Sequence, residues 1–279
     1  MEPLLTAAVL ETLLSGRREG ASAVECSMDL GRSVAPVAVG PEHWGWEGRS
    51  FPYPARLKDR TIYYWDGAEF VPAARFTDAL VKLVPTDWGA PTFEIDGIKM
   101  LPTERVSPWD DAVGKVALIE PHGKRILDCC GGLGYMAAAC LAGGASEVLS
   151  FEKNPDVLWL RSLNPWSPRP DERLKLTAGD VVPAVVACET GSVDAILHDP
   201  PRFGIAGELY SQAFYDQLAR VLKSRGRLFH YTGAPNRLTT GRNVPNEVAR
   251  RLERAGFRTR IAGDGILATR EATFLRVKG

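Results

Sequence analysis

The feature that most constrains this chain is a regular alternation of short apolar runs with helical segments downstream of residue 107. The apolar runs are bounded by turn residues, and they predict strands over residues 125–128, 147–152, 174–176, 193–199 and 226–231. Strands that alternate with helices form a parallel sheet with helices on both faces. We therefore predict an α/β fold for residues 107–279.

The two ends of this region carry their own signals. Ser107 is followed by Pro108, with Asp110 three residues after the serine, a pattern typical of a helix start. At the other end, residues 258–261 and 272–277 predict a closing antiparallel hairpin.

Residues 1–106 have a different texture, because tryptophan, tyrosine and phenylalanine lie there among prolines. The pairs Asp66-Gly67 and Asp96-Gly97 separate extended runs, and Asp-Gly between such runs is a strong hairpin signal. A helix predicted over residues 4–14, ending at Gly16, is apolar on more than one face and must be covered. The neighbouring segments do not offer this helix an evident partner. We therefore predict a small aromatic-rich β domain preceded by a helix that acts as a lid.

Composition narrows the function classes. The 34 basic and 34 acidic residues give zero formal charge, which disfavours a protein that grips long nucleic acids through phosphates. Five scattered cysteines without a C-x-x-C pair indicate reduced thiols and a cytoplasmic protein. No His or Cys pair has ligand spacing, so we predict no metal. We also predict no signal peptide and no membrane span, since the longest uncharged run, 129–146, is mostly small residues.

Acidic and glycine-rich sites follow the predicted strands in order. In an open α/β sheet, ligands bind beyond the carboxyl ends of the strands. There the sequence places Asp128 before a glycine-rich turn, Glu152 where a ribose could be gripped, Asp180 after the third strand, and Asp199 after the fourth. These positions predict one ligand site along that edge.

Residues 107–279 resemble the class I S-adenosylmethionine-dependent methyltransferase fold. The resemblance implies a Rossmann-like sheet that binds S-adenosylmethionine. It implies contacts to the methionine part from Asp128, Gly132 and Gly134, to the ribose from Glu152, to the adenine from Asp180, and to the reacting centre from the motif Asp199-Pro200-Pro201-Arg202. Cys130 departs from the family, since it stands where the first glycine of the loop is usual.

A narrower resemblance, to a group of archaeal-type predicted methyltransferases without a settled substrate, covers most of the chain. It is carried by His198 to Phe203, by the run Glu152-Lys153-Asn154-Pro155, by the run Leu163-Asn164-Pro165-Trp166-Ser167, and by the run Ser27-Met28-Asp29-Leu30-Gly31.

Two residues of the fourth motif have competing interpretations. Arg202 occupies the place where enzymes that methylate amino groups carry an aromatic residue, and its planar fork suits a carboxylate or phosphate. Alternatively, Arg202 pairs with an acid such as Glu208. His198, like His230 at the end of the next strand, is either a general base or a satisfied buried histidine.

The simplest function is methyl transfer to a small polar molecule, with no membrane partner. The alternative is attack of an amine, such as the cofactor's own α-amine, on the aminocarboxypropyl chain, giving azetidine-2-carboxylate and methylthioadenosine. The aromatic rings of residues 1–106 are either the core of the β domain or a lid over the sulfonium of the cofactor. With such a lid the chain would resemble in kind the azetidine-2-carboxylate synthases. The charged Asp199 motif disfavours a regulatory module without turnover. The glycine spacing disfavours a nicotinamide-dependent oxidoreductase. The sequence specifies neither the acceptor nor the oligomeric state.

Overall fold

The computed structural model describes residues 2–201, 206–233 and 243–272 and divides into two compact units. The first unit is Met1–Asp111 with Trp159–Ser167, and the second is Ala112–Leu158 with Pro168–Gly279. The first unit is therefore built from two stretches of chain, which the sequence patterns do not indicate.

The first unit is mainly antiparallel β structure. Its elements are β1 Leu4–Leu5, α1 Ala7–Glu19, β2 Ala23–Cys26, β3 Ala35–Val39, β4 His43–Trp46, β5 Arg49–Pro52, β6 Tyr63–Trp65, β7 Phe70–Pro72, β8 Ala74–Phe76, β9 Leu80–Val84, β10 Thr92–Ile95 and β11 Ile98–Lys99, and α2 Pro108–Ala117 continues into the second unit. The sheets of the first unit have the strand orders β1-β6-β7, β2-β3-β4-β5 and β11-β10-β9-β8.

Both predicted hairpins are present. Asp96 and Gly97 form a two-residue turn with φ of 48° and 77°, as the Asp-Gly signal requires. At Asp66 the loop is longer, because Trp65 pairs with Phe70, and the Asp66 carboxylate caps it by accepting from the amides of Ala68 and Glu69.

Helix α1 differs from its prediction in both bounds and packing. It begins after Thr6, whose hydroxyl accepts from the Val9 amide, and it ends at Gly20 in the left-handed conformation. Gly16 lies inside the helix, where a Cβ would come within 2.2 Å of the Val24 side chain. The prediction that this helix lacks a nearby partner is wrong, because its buried face, including Leu13, packs within the first unit.

The core of that unit is a cluster of aromatic rings. Trp44 stacks on Phe51 with centroids 4.8 Å apart, and Phe70 lies 5.8 Å from Trp44 and 5.1 Å from Trp65. Trp44 and Phe51 are almost completely buried. For these rings the interpretation as a domain core is confirmed.

Two motifs of the narrower resemblance meet in the first unit. The Trp166 indole donates to the Leu30 carbonyl at 3.0 Å, and the Arg32 guanidinium donates to the Pro165 carbonyl. Gly89 adopts φ of 87° beside them, where a Cβ would lie 2.9 Å from the Leu30 oxygen. Residues 159–167 are therefore anchored to the first unit by close polar contacts.

The second unit contains a seven-stranded sheet within the described ranges. The elements are β12 Arg125–Asp128, α3 Tyr135–Ala142, β13 Glu147–Glu152, α4 Pro155–Leu163, β14 Leu174–Ala178, α5 Val181–Ala187, β15 Val193–His198, a 3₁₀ helix Gly207–Tyr210, α6 Gln212–Val221, β16 Leu222–Tyr231, α7 Val244–Arg254, β17 Phe257–Ala262 and β18 Gly265–Arg270. The strand order is β14-β13-β12-β15-β16-β18-β17, and all neighbouring strands are parallel except at β18, which is antiparallel to both β16 and β17. This arrangement confirms the predicted Rossmann-like α/β fold.

The helix start and the closing hairpin have different outcomes. Helix α2 begins at Pro108, and the Ser107 hydroxyl caps it by accepting from the Asp110 amide at 2.9 Å, as predicted. The hairpin exists, but the partner of β17 is β18 rather than residues 272–277. The turn at Gly263 follows β17 directly, and most of the predicted partner lies outside the described residues.

Apolar side chains fill both faces of the sheet. One core contains residues from α5, α6 and α7, and the other contains residues from α2 and α3. Helices therefore cover both faces, and the carboxyl ends of the parallel strands form a single edge. No helix in the described ranges is long and apolar enough to cross a membrane.

Candidate functional site

The first part of the site is the loop between β12 and α3. Asp128 ends the strand and is fully buried, with the Ser150 hydroxyl donating to its Oδ2 at 2.8 Å. Gly132 and Gly134 adopt φ of 50° and 84°, a region that glycine enters without steric cost. The loop can therefore turn tightly into α3, which begins at Tyr135 directly after Gly134.

Glu152, at the end of β13, is held by main-chain amides. Its Oε2 accepts from the Gly132 amide at 2.9 Å, and its Oε1 accepts from the Asn154 amide at 2.8 Å. A carboxylate offers about four acceptor positions, so such an oriented group suits a ligand with two neighbouring hydroxyls. The contact also joins the glycine loop to the acid of the next strand.

Asp180 follows β14 and caps α5. Its Oδ1 accepts from the Val182 amide at 2.9 Å, and its Oδ2 lies 3.2 Å from the Lys153 ammonium. Lys153 also lies 3.7 Å from Glu208, the acid that the sequence offered as a partner for Arg202. Arg202 itself lies outside the described residues.

Cys130 lies among the acids of this edge. Burial and the nearby Cys129, Glu152, Asp128 and Asp199 raise the pKa of its thiol well above the usual value. The thiol is therefore protonated at neutral pH and is a poor nucleophile. A small neutral side chain thus occupies the place of the usual glycine.

Asp199 follows β15 and is joined to a lysine that sequence reasoning missed. Lys115 of α2 places its ammonium 3.0 Å from Asp199 Oδ2, and the two side chains are only 6% and 18% exposed. The same ammonium lies 4.3 Å from the centre of the Tyr231 ring, at the end of β16. The signal was a lysine on the apolar face of a predicted helix, between Ala112 and Ile119.

His198 and His230 are buried side by side, with ring centres 4.4 Å apart. His198 Nε2 lies 3.0 Å from the Leu209 carbonyl, and His230 Nε2 lies 2.8 Å from the Tyr215 hydroxyl. Burial lowers the pKa of His198 to about 4 and that of His230 well below its usual value. Both rings are therefore neutral at pH 7 and fully buried, and the general-base role of His198 stays a prediction.

Tyr210 is a second residue to which the sequence patterns assign no role. Its hydroxyl donates to the Pro201 carbonyl at 3.0 Å, and its own carbonyl accepts from Arg251 at 2.6 Å. Together with the contact between His198 and Leu209, this bond fixes the 3₁₀ helix to the Asp199 motif.

The described residues include no group of three or more His, Cys, Asp or Glu side chains that could hold a metal ion. The arrangement fits an adenosyl cofactor. A carboxylate oriented by a main-chain amide follows one strand, a glycine loop that opens a helix follows its neighbour, and a loop at Gly179 with room for a ligand follows the next.

Known structures share this fold. A spermidine synthase in complex with the transition-state analogue AdoDATO is 17% identical with a TM-score of 0.56, over 70% of this chain and 71% of that chain. The spermidine synthase from Thermotoga maritima is 18% identical with a TM-score of 0.55, over 70% of each chain. At these identities the likeness concerns the fold. No family model matches the sequence.

One sequence relative is much more similar. The uncharacterized protein MJ1233 of Methanocaldococcus jannaschii is 40% identical over 198 residues, which cover 70% of this chain and 68% of the relative. Identity at this level over two thirds of both chains shows common descent. The chain belongs to the same family as MJ1233, and it shares its fold with the spermidine synthases.

Proposed function

We propose that this protein is an S-adenosylmethionine-dependent enzyme that acts on a small polar molecule. The observation that carries the proposal is the Glu152 carboxylate, fixed between the amides of Gly132 and Asn154 at the carboxyl edge of the sheet. That arrangement joins the two elements, glycine loop and strand-two acid, that the family resemblance assigns to this cofactor.

Different residues along the carboxyl edge of the sheet would bind different parts of the cofactor. Glu152 would hold the ribose hydroxyls, the loop of Gly132 and Gly134 would receive the methionine part, and the loop at Asp180 would receive the adenine. When bound, the cofactor supplies carbon atoms activated by a sulfonium. Ser150 would keep the buried Asp128 carboxylate oriented through its hydrogen bond.

Asp199 is the group we assign to the acceptor. It stands in the motif that faces the reacting centre in the family, and the bonds of His198 and Tyr210 to the segment around it hold that motif in place. We propose methyl transfer as the reaction, with Arg202 binding an anionic group of the acceptor. The zero net charge supports a small acceptor rather than a long nucleic acid, and five free thiols support a reducing compartment such as the cytoplasm.

Binding is tested by titrating S-adenosylmethionine into the protein in a calorimeter. Replacing Glu152 by alanine removes two charge-assisted hydrogen bonds and should weaken binding by about tenfold or more. Glu147→Ala, at the opposite end of β13, is the matched control and should bind as the wild type does. Wild-type affinity in Glu152→Ala, with its thermal unfolding unchanged, would remove Glu152 from the site.

The alternative reaction is attack of an amine on the aminocarboxypropyl chain, which yields methylthioadenosine. Incubation with S-adenosylmethionine alone, followed by mass spectrometry, separates the two chemistries. Methyl transfer predicts no turnover until an acceptor is added, and then S-adenosylhomocysteine. Methylthioadenosine with azetidine-2-carboxylate in the absence of any acceptor would establish the internal reaction instead.

A further inference from the structure

Lys115 is an unusual residue for its surroundings. Its side chain is 6% exposed, and removing an ammonium from water is unfavourable unless the charge is compensated. Compensation comes from the Asp199 carboxylate at 3.0 Å and from the face of the Tyr231 ring at 4.3 Å. Three elements of the second unit therefore place a charge pair at the carboxyl ends of β15 and β16.

Stability alone does not account for such a pair. A buried ion pair is often no more stabilising than apolar side chains of the same volume, because desolvation offsets the attraction. The other residues of α2 that are buried beside Lys115 include the apolar Ala112 and Val116. A leucine or methionine at position 115 would suit these neighbours.

The pair does change the charge that a ligand meets. A lone Asp199 carboxylate would attract cations, such as a sulfonium or a protonated amine, and repel a carboxylate. With the Lys115 ammonium at 3.0 Å, the two charges largely cancel for any group farther away than the pair's own separation. Since the pair is shielded from water, this cancellation is screened little by salt.

We propose that Lys115 is a specificity-determining residue that neutralises Asp199, so that the reaction edge selects neutral or anionic acceptors and rejects polyamine cations. The proposal rests on the proposed cofactor function, because it places Asp199 at the reacting centre. It gives the acceptor's chemical class: a neutral amine or hydroxyl, with any further charge being negative.

The experiment compares two ligands that differ in one charge. S-adenosylmethionine carries a sulfonium, whereas S-adenosylhomocysteine has a neutral thioether in its place. Calorimetry at pH 8 gives the ratio of their affinities for the wild type, Lys115→Met, Lys115→Arg and the double variant Lys115→Met/Asp199→Asn. Lys115→Met should raise the preference for the sulfonium by about tenfold, because it removes the ammonium that lies 3.0 Å from the Asp199 carboxylate.

The matched variants separate charge from packing. Lys115→Arg keeps the charge, and the double variant removes both charges, so each should retain the wild-type ratio. Butane-1,4-diamine, added as a probe of the acceptor side, should bind to Lys115→Met but not to the wild type. If Lys115→Met does not fold, Asp199→Asn replaces it and should lower the preference for the sulfonium by about tenfold.

Two failures are distinguishable. A wild-type protein that binds neither ligand would overturn the proposed function. Binding of both ligands with one ratio across all variants would leave the cofactor site intact and overturn the role of Lys115.

Discussion

His198 and His230 pair in register at the ends of β15 and β16, and neither ring has exposed surface. Because burial holds the pKa of His198 at about 4, the unfolded chain binds a proton between pH 6.5 and 4 that the folded chain does not. The free energy of unfolding should therefore fall by up to about 3 kcal/mol as the pH drops from 6.5 to 4, with a further loss from His230. Urea unfolding at pH 7, 6 and 5 measures this slope. His198→Gln should flatten it, whereas His43→Gln, at an exposed position, should not; an equally steep slope in His198→Gln would contradict the assignment.

At the scale of elements, sequence patterns located the parallel strands of the second unit to within a few residues, because short apolar runs bounded by turn residues are typical of buried strands. The strands at Arg125–Asp128 and Glu147–Glu152 have the predicted bounds. Two elements differ from their predictions for identifiable reasons. Helix α1 continues through Gly16, which was predicted to end it. The glycine is present because a side chain there would clash with Val24, a contact that no local sequence pattern reveals. The partner predicted for β17 is wrong because the chain already reverses at the short turn of Gly263 and pairs β17 with β18.

Some features of the candidate site could be predicted from the sequence, and others depend on tertiary packing. Glycine and acidic residues at strand ends were visible in the sequence because topology alone brings strand ends together. Lys115 was not, because its pairing with Asp199 joins positions 84 residues apart and depends on how α2 lies across the sheet. The strength of burial around His198 was equally invisible, since a histidine at a strand end has the same sequence signature in a wet site and in a dry one.

At the scale of the whole molecule, the first unit is discontinuous, and this limits how the chain can be divided. Trp159 lies under the Arg75 guanidinium at 3.9 Å and against the Tyr64 ring at 5.8 Å, all within that unit. A fragment of residues 112–279 would retain Trp159 and Trp166 but lose these partners. We expect the fragment to bind a hydrophobic dye and to unfold at lower temperature than the full chain. Trp159→Lys in the fragment should reduce dye binding, and a fragment that unfolds as the full chain does, without binding dye, would contradict this expectation.

The two-part construction of the first unit also has a consequence for the order of events on the ribosome. Residues 1–111 leave the ribosome before residues 159–167, which complete their unit. At about 5 to 20 residues per second, the delay is about 2 to 10 s, far longer than the microseconds in which a hairpin forms. During that interval the nascent aromatic domain lacks the partners of Leu30, Arg32 and Arg75. Nascent chains stalled before residue 159 should therefore be the ones that chaperones hold longest.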